Sequence, residues 1–238
     1  MVYVGSKRRI AKDIVPIIQS YITDKTIMYI EPFVGGGNTI QRINFHTKIG
    51  YDIDKYVIAL LSYCRDNGES INPLITREEY NRVKDNMGDY PDWYVGLVGY
   101  LTTFGSKFFG GYGLHKKGDE ESRVGYATIK NFKKEQDSLV GCNFICEDYR
   151  NIDTSLWKNC VIYCDPPYRD TLKYKSSNNF DYDFYYNWCI QLSQNNTVLM
   201  SEYDMPKEFK CIWQKDLNCG ITSLVDKQIR TEKLFVVR

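Results

Sequence analysis

Asp165-Pro166-Pro167-Tyr168 is the stretch of this 238-residue chain best equipped for chemistry. Asp165 brings a carboxylate, which accepts hydrogen bonds and donates none. Pro166 brings a carbonyl whose direction is set by two ring-locked φ angles, and Tyr168 brings an aromatic face. An amine on an aromatic ring has its lone pair delocalised into that ring. It becomes nucleophilic when fixed acceptors hold both of its hydrogens, so two acceptors beside a stacking face would grip a flat amine. With ordinary residue usage the tetrapeptide should occur in only about one chain in a thousand of this length. A rigid turn after a strand is the other use of the same four residues.

A second cluster is Gly35-Gly36-Gly37, which follows the apolar run Thr26 to Ile30 and the pair Glu31-Pro32. Glycines let a backbone approach a ligand closely, and Asn38 to Ile43 reads as a helix start that would offer N–H groups to an anion. An ordinary glycine turn would look the same. Asp52, about twenty residues beyond Glu31, suits a ribose diol and favours a nucleoside-bearing cofactor. The glycines lack G-x-G-x-x-G spacing and no G-x-x-x-x-G-K-[ST] occurs, which argues against nicotinamide and P-loop enzymes and leaves a cofactor without phosphates.

These residues need elements to hold them. Thr26 to Ile30, Lys48 to Tyr51, Asn143 to Cys146, Cys160 to Cys164 and Thr197 to Met200 are short apolar runs that read as buried strands, and Lys233 to Val237 as a final one. Glu31, Asp52, Asp148 and Asp165 fall at strand ends, where ligands bind in an open parallel sheet. Tyr56 to Cys64 and Asp181 to Leu192 carry helical spacing. From about Arg65 to Val140 the texture changes: Thr76-x-x-Glu79 resembles a capping box, Asp92 to Phe104 reads as a helix, and Gly105 to Gly125 is rich in glycine, aromatics and lysine. This gives an α/β catalytic domain, 1–64 with 141–238, interrupted by an insertion at 65–140. Tyr174 to Asp183, rich in serine, asparagine and tyrosine, reads as a mobile loop after Tyr168.

A net charge of +1 and a hydrophobic fraction of 43% exclude disorder and a uniformly basic nucleic-acid coat protein. Eight scattered cysteines without a C-x-x-C pair, and two histidines, fit reduced thiols and no metal. No membrane-length apolar run or signal core occurs, so a cytoplasmic place is expected.

Taken in order, these residues resemble the Dam-like family of DNA adenine-N6 methyltransferases. There, an N-terminal Lys motif, an E-P-F-x-G-x-G motif, a recognition insertion and D-P-P-Y follow one another. The resemblance implies a Rossmann-like S-adenosylmethionine-dependent methyltransferase sheet with helices on both faces and an inserted, mostly helical DNA-recognition module. By the same resemblance Tyr3, Lys7, Glu31, Phe33, Gly35, Gly37, Asp52, Asp148 and Asp165 bind S-adenosylmethionine. Asp165, Pro166, Pro167 and Tyr168 carry the chemistry on a flipped adenine of duplex DNA. Methyl transfer from a sulfonium depends on in-line placement and fixed dipoles more than on a strong base, so neither histidine nor metal is needed. Glu147-Asp148-Tyr149 looks like the element that holds the cofactor's adenine, and Ser201-Glu202-Tyr203 like a later motif near the target base.

The insertion is expected to read DNA through Lys107, Tyr112, Lys116, Lys117 and Arg123, a solvated hairpin being the plainer alternative. The F-N-V-P-F-G-[KR]-Y stretch of members that methylate GATC has no counterpart around Gly113 to Tyr126, so that site is not implied. A cognate restriction endonuclease would be a fitting partner. The rival readings are a DNA-binding protein of the same fold without turnover, and an amine methyltransferase acting on RNA or a protein amide.

Overall fold

The computed structural model of the protein describes residues 1–3, 5–113, 123–169, 180–219 and 228–237. They form seven strands: β1 (Met28–Glu31), β2 (Lys48–Asp52), β3 (Cys142–Cys146), β4 (Cys160–Cys164), β5 (Thr197–Glu202), β6 (Phe209–Cys219) and β7 (Gln228–Val237). Among them run seven α-helices: α1 (Ala11–Ser20), α2 (Lys55–Asn67), α3 (Arg77–Asp85), α4 (Asp92–Leu101), α5 (Arg123–Lys133), α6 (Gln136–Leu139) and α7 (Tyr182–Ser193). The class is the expected one, α/β with parallel strands. Two compact units divide the chain, Met1–Lys12 with Val34–Ile152 and Asp13–Phe33 with Asp153–Arg238. The division falls inside the glutamate-to-glycine motif, between Phe33 and Val34.

In the first unit β2 and β3 pair in parallel, from Lys48 opposite Cys142 to Asp52 opposite Cys146. Asp54 caps α2: its Oδ1 accepts from the N–H groups of Tyr56 and Val57 at 2.9 and 3.2 Å. The helix buries Val57, Leu60, Leu61 and Cys64, the spacing of one apolar face. Residues 65–140 lie wholly in this unit and hold α3 to α6. In α4 every residue from Val95 to Leu101 is buried, so it packs all round. Thr76 caps α3 as its spacing predicts, Oγ1 accepting from the Glu79 N–H at 3.1 Å. The reciprocal half of the box gives way to tertiary structure, because the Glu79 carboxylate accepts from the Tyr94 hydroxyl.

The second unit carries strands in the order β1-β4-β5-β7-β6. Strands β1, β4 and β5 are parallel, and β7 runs antiparallel to both β5 and β6. All five residues of β4 are buried, which is why Cys-Val-Ile-Tyr-Cys reads as a continuous apolar run instead of an alternation. Two elements were not legible in the sequence. Pro16 inside α1 hides a helix whose Ile14 and Ile18 are fully buried. Strand β6 is rich in Lys, Gln and Asp, sits at the edge of its sheet, and slips register between Cys211 and Trp213. Among the described residues no helix is long and apolar enough to cross a membrane.

Gly96 sets how closely α4 approaches α2, since a Cβ there would meet the Tyr56 carbonyl oxygen at 2.5 Å and Leu60 Cβ at 3.3 Å. Replacing an interior helix glycine with alanine ordinarily gains up to about 1 kcal/mol. Gly96→Ala should reverse that sign and cost about 1–3 kcal/mol in urea unfolding, because backbone cannot swing aside. Gly88→Ala, where a Cβ would meet nothing within 4 Å, should stay within about 0.5 kcal/mol of wild type. Equal effects at the two sites would contradict the packing described.

Candidate active site

In the first unit the glycine loop is fastened to the end of β2. The Gly35 N–H donates to Asp52 Oδ2 at 2.9 Å, the Asp54 N–H to Asp52 Oδ1 at 3.0 Å, and the Val34 N–H to the Tyr51 carbonyl at 2.8 Å. Gly35 and Gly37 hold φ of 45° and 68°, where a side chain would be strained. A Cβ on Gly36 would meet Tyr3 Cβ at 2.8 Å, so the loop lies directly on the N-terminal segment. Asn38 Nδ2 strengthens that seam by donating to the Met1 carbonyl at 2.7 Å. Burial raises the Asp52 carboxyl to about 6, against the pull of the N–H groups of Asp54 and Gly35.

The helix expected over Asn38 to Ile43 is absent. Ile40–Arg42 makes a single 3-10 turn and Ile43 is already extended at φ −76°, ψ 125°. Lys7 is buried in the short turn Lys7–Arg9, and the Tyr3 ring meets that of Tyr100 at 5.4 Å. Tyr100 in turn donates to Asp54, leaving Asp54 occupied by structure and Asp52 as the carboxylate of the strand end. Asp148 follows β3 and accepts at Oδ1 from the main-chain N–H and Nε of Arg150, both at 3.0 Å. That hydrogen-bonded pair holds its carboxyl below the usual value. Tyr149 beside it is buried.

The segment expected to read DNA shows more packing than its sequence suggests. Phe108 stacks on Tyr56 with centroids 5.2 Å apart, and a Cβ on Gly99 would meet its ring at 2.5 Å. The Tyr112 hydroxyl donates to the Ile75 carbonyl at 2.6 Å while the Arg77 guanidinium lies 5.4 Å from its ring centre. Lys107 is exposed, as is Phe104 at 70%. Lys116 and Lys117 lie outside the described residues, as do Tyr174 to Asn179 of the serine-rich loop, and Arg123 is described only as the first residue of α5.

The second unit holds Glu31, Phe33 and the whole of Asp165 to Tyr168. Glu31 is buried at the end of β1, where Oε1 accepts from the Tyr29 hydroxyl at 2.7 Å. Phe33 packs against Phe180 and Tyr185, centroids 6.0 and 5.8 Å away. Asp165 leaves β4 half-buried, and Pro166 is buried. The Tyr182 hydroxyl donates to the Pro167 carbonyl at 3.0 Å, whereas no donor reaches the Pro166 carbonyl among the described residues. Tyr168 donates to Glu232 Oε2 at 2.8 Å and meets the Tyr203 ring edge to face at 4.7 Å. Burial first, and then the Asp165 carboxylate, hold its hydroxyl well above the ordinary tyrosine value. Glu202 accepts from the Tyr203 N–H at 2.7 Å and the Arg169 N–H at 3.3 Å, bracing the chain beyond Tyr168.

A model of D12 class N6 adenine-specific DNA methyltransferases matches residues 3–97, the stretch with Glu31, the glycine loop and Asp52. Three curated relatives extend the likeness beyond it. The type II methyltransferase M.FokI of Planomicrobium okeanokoites is 27% identical over 186 residues, 70% of this chain and 28% of its own length. M.MjaIII of Methanocaldococcus jannaschii is 27% identical over 215 residues, 76% of this chain and 73% of its own. The DNA adenine methylase of Haemophilus influenzae is 27% identical over 191 residues, 70% and 62% respectively. The chain is thus similar to adenine-specific DNA methyltransferases over residues 3–97 and, at 27% identity, to these three methyltransferases over 70–76% of its length. It spans less than two thirds of two of those three relatives. Among the described residues no group of three or more His, Cys, Asp or Glu is placed to hold a metal.

Around Asp165 to Tyr168 the structure places Tyr203, expected near the target base, and adds Tyr182 and Glu232. Glu232 lies 64 positions from Tyr168, and only the β5–β7 pairing brings it there, so no local motif could have revealed it. Asp52 yields a direct test. Its folded-state pKa stands above the unfolded value, so the folded protein holds this proton more tightly. This contribution to stability is full below about pH 4 and is lost as pH rises to about 6. Carboxyl carbon NMR of the protein should show Asp52 titrating near 6. A midpoint near 4 would contradict its burial.

Proposed function

We propose that this chain transfers a methyl group from S-adenosylmethionine to the N6 amine of an adenine flipped out of duplex DNA. The observation that carries the reading is the arrangement of Asp165 to Tyr168 at the buried end of β4. There Tyr182 occupies the Pro167 carbonyl, and the Pro166 carbonyl has no donor among the described residues. Asp165 and Pro166 accept the two hydrogens of the amine, and Tyr168 lends its ring to the base. Bound S-adenosylmethionine would supply the methyl group on a positively charged sulfur leaving group, and Asp165 would pass the surplus proton of the methylated amine to water. Orientation and fixed dipoles supply most of the acceleration.

Asp52 accepts from the ribose diol, Asp148 from the cofactor's adenine amine, and Gly35 and Gly37 leave room for the cofactor beside Tyr3, Lys7, Glu31 and Phe33. A carboxylate oxygen has two lone pairs, so Asp148 serves an amine while keeping Arg150. Residues 65–140 form the target-recognition part, with Lys107, Tyr112, Lys116, Lys117 and Arg123 as its DNA contacts. A DNA substrate would place the protein in the cytoplasm of a prokaryotic or phage-infected cell. Two relatives are named type II methyltransferases, which fits a partner endonuclease here too.

Purified protein with labelled S-adenosylmethionine should mark adenine in unmodified duplex DNA. It should continue to do so with excess RNA present, and sequencing of DNA from cells expressing the chain should locate the methylated site. Tyr168→Ala should lower transfer by roughly 10- to 100-fold through loss of base stacking, worth about 1–3 kcal/mol. The loss should be matched by a weaker flipping signal from 2-aminopurine at the target. Label that enters RNA or protein but no duplex would overturn the reading.

A further inference from the structure

Beside Tyr168, the second unit has an open cavity of about 390 Å³ lined by Tyr203, Arg230, Thr231 and Lys233. Tyr203 leaves the end of β5 and meets Tyr168 edge to face. The Arg230 guanidinium lies 5.5 Å from the centre of the Tyr203 ring, with Nη1 donating to its hydroxyl at 3.5 Å. A guanidinium backed by an aromatic ring is preorganised, and its planar set of donors matches a phosphate. Lys233 adds a second cation, and its contact with Asp204 at 3.6 Å is to a carboxylate 90% exposed, a pair of little strength. The Thr231 hydroxyl donates to Asp216 Oδ1 at 2.7 Å, which leaves the anion to the two cations. The nearby carboxylate of Glu232 accepts from Tyr168, which confines an incoming anion to the Arg230 and Lys233 end.

We propose that this cavity seats a backbone phosphate of the target strand next to the extruded nucleotide, with Arg230 as its principal ligand. The inference rests on DNA being the substrate. A base cannot reach Tyr168 without drawing its own phosphates out of the duplex, and these must meet a surface next to that ring. Arg230 and Lys233 are the cations the fold places there. Phosphate contacts fix position and carry no sequence information, so Arg230 acts equally on every sequence the enzyme binds.

The test is DNA affinity as a function of KCl, with a duplex that the wild-type protein methylates. Arg230→Gln and Arg230→Ala should bind on the order of tenfold more weakly. Their log–log salt slope should be shallower by about 0.9, with cofactor affinity unchanged. Arg230→Lys should keep the slope while losing part of the affinity, and Lys210→Gln, an exposed cation of β6 outside the cavity, should keep both. Arg230→Gln keeps more of the aliphatic stem, so it reads the same quantity if the alanine variant fails to fold. Wild-type slopes in both Arg230→Gln and Arg230→Ala would overturn the inference and leave the proposed function standing. A wild-type protein that methylates no duplex would overturn both, and that is seen before any variant is made.

Discussion

Strand β4 has a parallel neighbour on each side, and that pairing decides where Asp165 can be. With Ile30 opposite Ile162 and Cys164 opposite Met200, the chain leaves β1, β4 and β5 at the same edge. Glu31, Asp165 and Glu202 are the acids at those exits. A strand buried on both faces cannot slide without moving its whole apolar run, so register is strongly fixed. The two prolines that follow then leave Asp165 and the Pro166 carbonyl little freedom. Catalytic geometry here is an outcome of sheet register more than of the loop's own preference. Tyr182, Glu232 and Tyr203 add three contacts that hold the motif from its far side.

The first unit works by the same means with different groups. Parallel pairing of β2 with β3 places Asp52 at a strand end, and the Glu147 N–H closes on the Asp52 carbonyl at 3.0 Å. The Asp52 side chain then holds the glycine loop through the Gly35 N–H. Burial and these N–H bonds oppose one another, and burial prevails, raising the group to about 6. A carboxylate that is costly to ionise and already aimed gains from a ligand that supplies hydrogen-bond donors.

Strands β1, β4 and β5 were legible because they are buried nearly throughout, so their sequences are apolar runs that lead into an acid. The edge strand β6 was not, since a polar edge has no such signature, and α1 was concealed by Pro16. The glycine cluster pointed to a close approach, and the structure supplies one, onto Tyr3. It did not supply the helix expected after it, because Ile43 turns extended one residue after the 3-10 turn ends. Asp165 to Tyr168 could be read from four letters, but its supports could not. Tyr203 was expected near the target base only by resemblance, and Glu232 comes from a strand far along the chain, of which sequence spacing holds no trace. The aromatics of the segment expected to read DNA looked like a contact surface, yet Phe108 and Tyr112 serve α4 and its neighbours first.

If two fixed acceptors make the amine nucleophilic, the chemical step depends on Asp165 being an acceptor and on nothing else about its shape. Asp165→Ala removes that acceptor, which an amide side chain would still offer through its oxygen. With cofactor and DNA bound in advance, the variant's single-turnover methylation rate should fall by roughly a hundredfold or more, at a DNA affinity close to that of wild type. A single-turnover rate within about threefold of wild type, less than 1 kcal/mol in the barrier, would contradict the account.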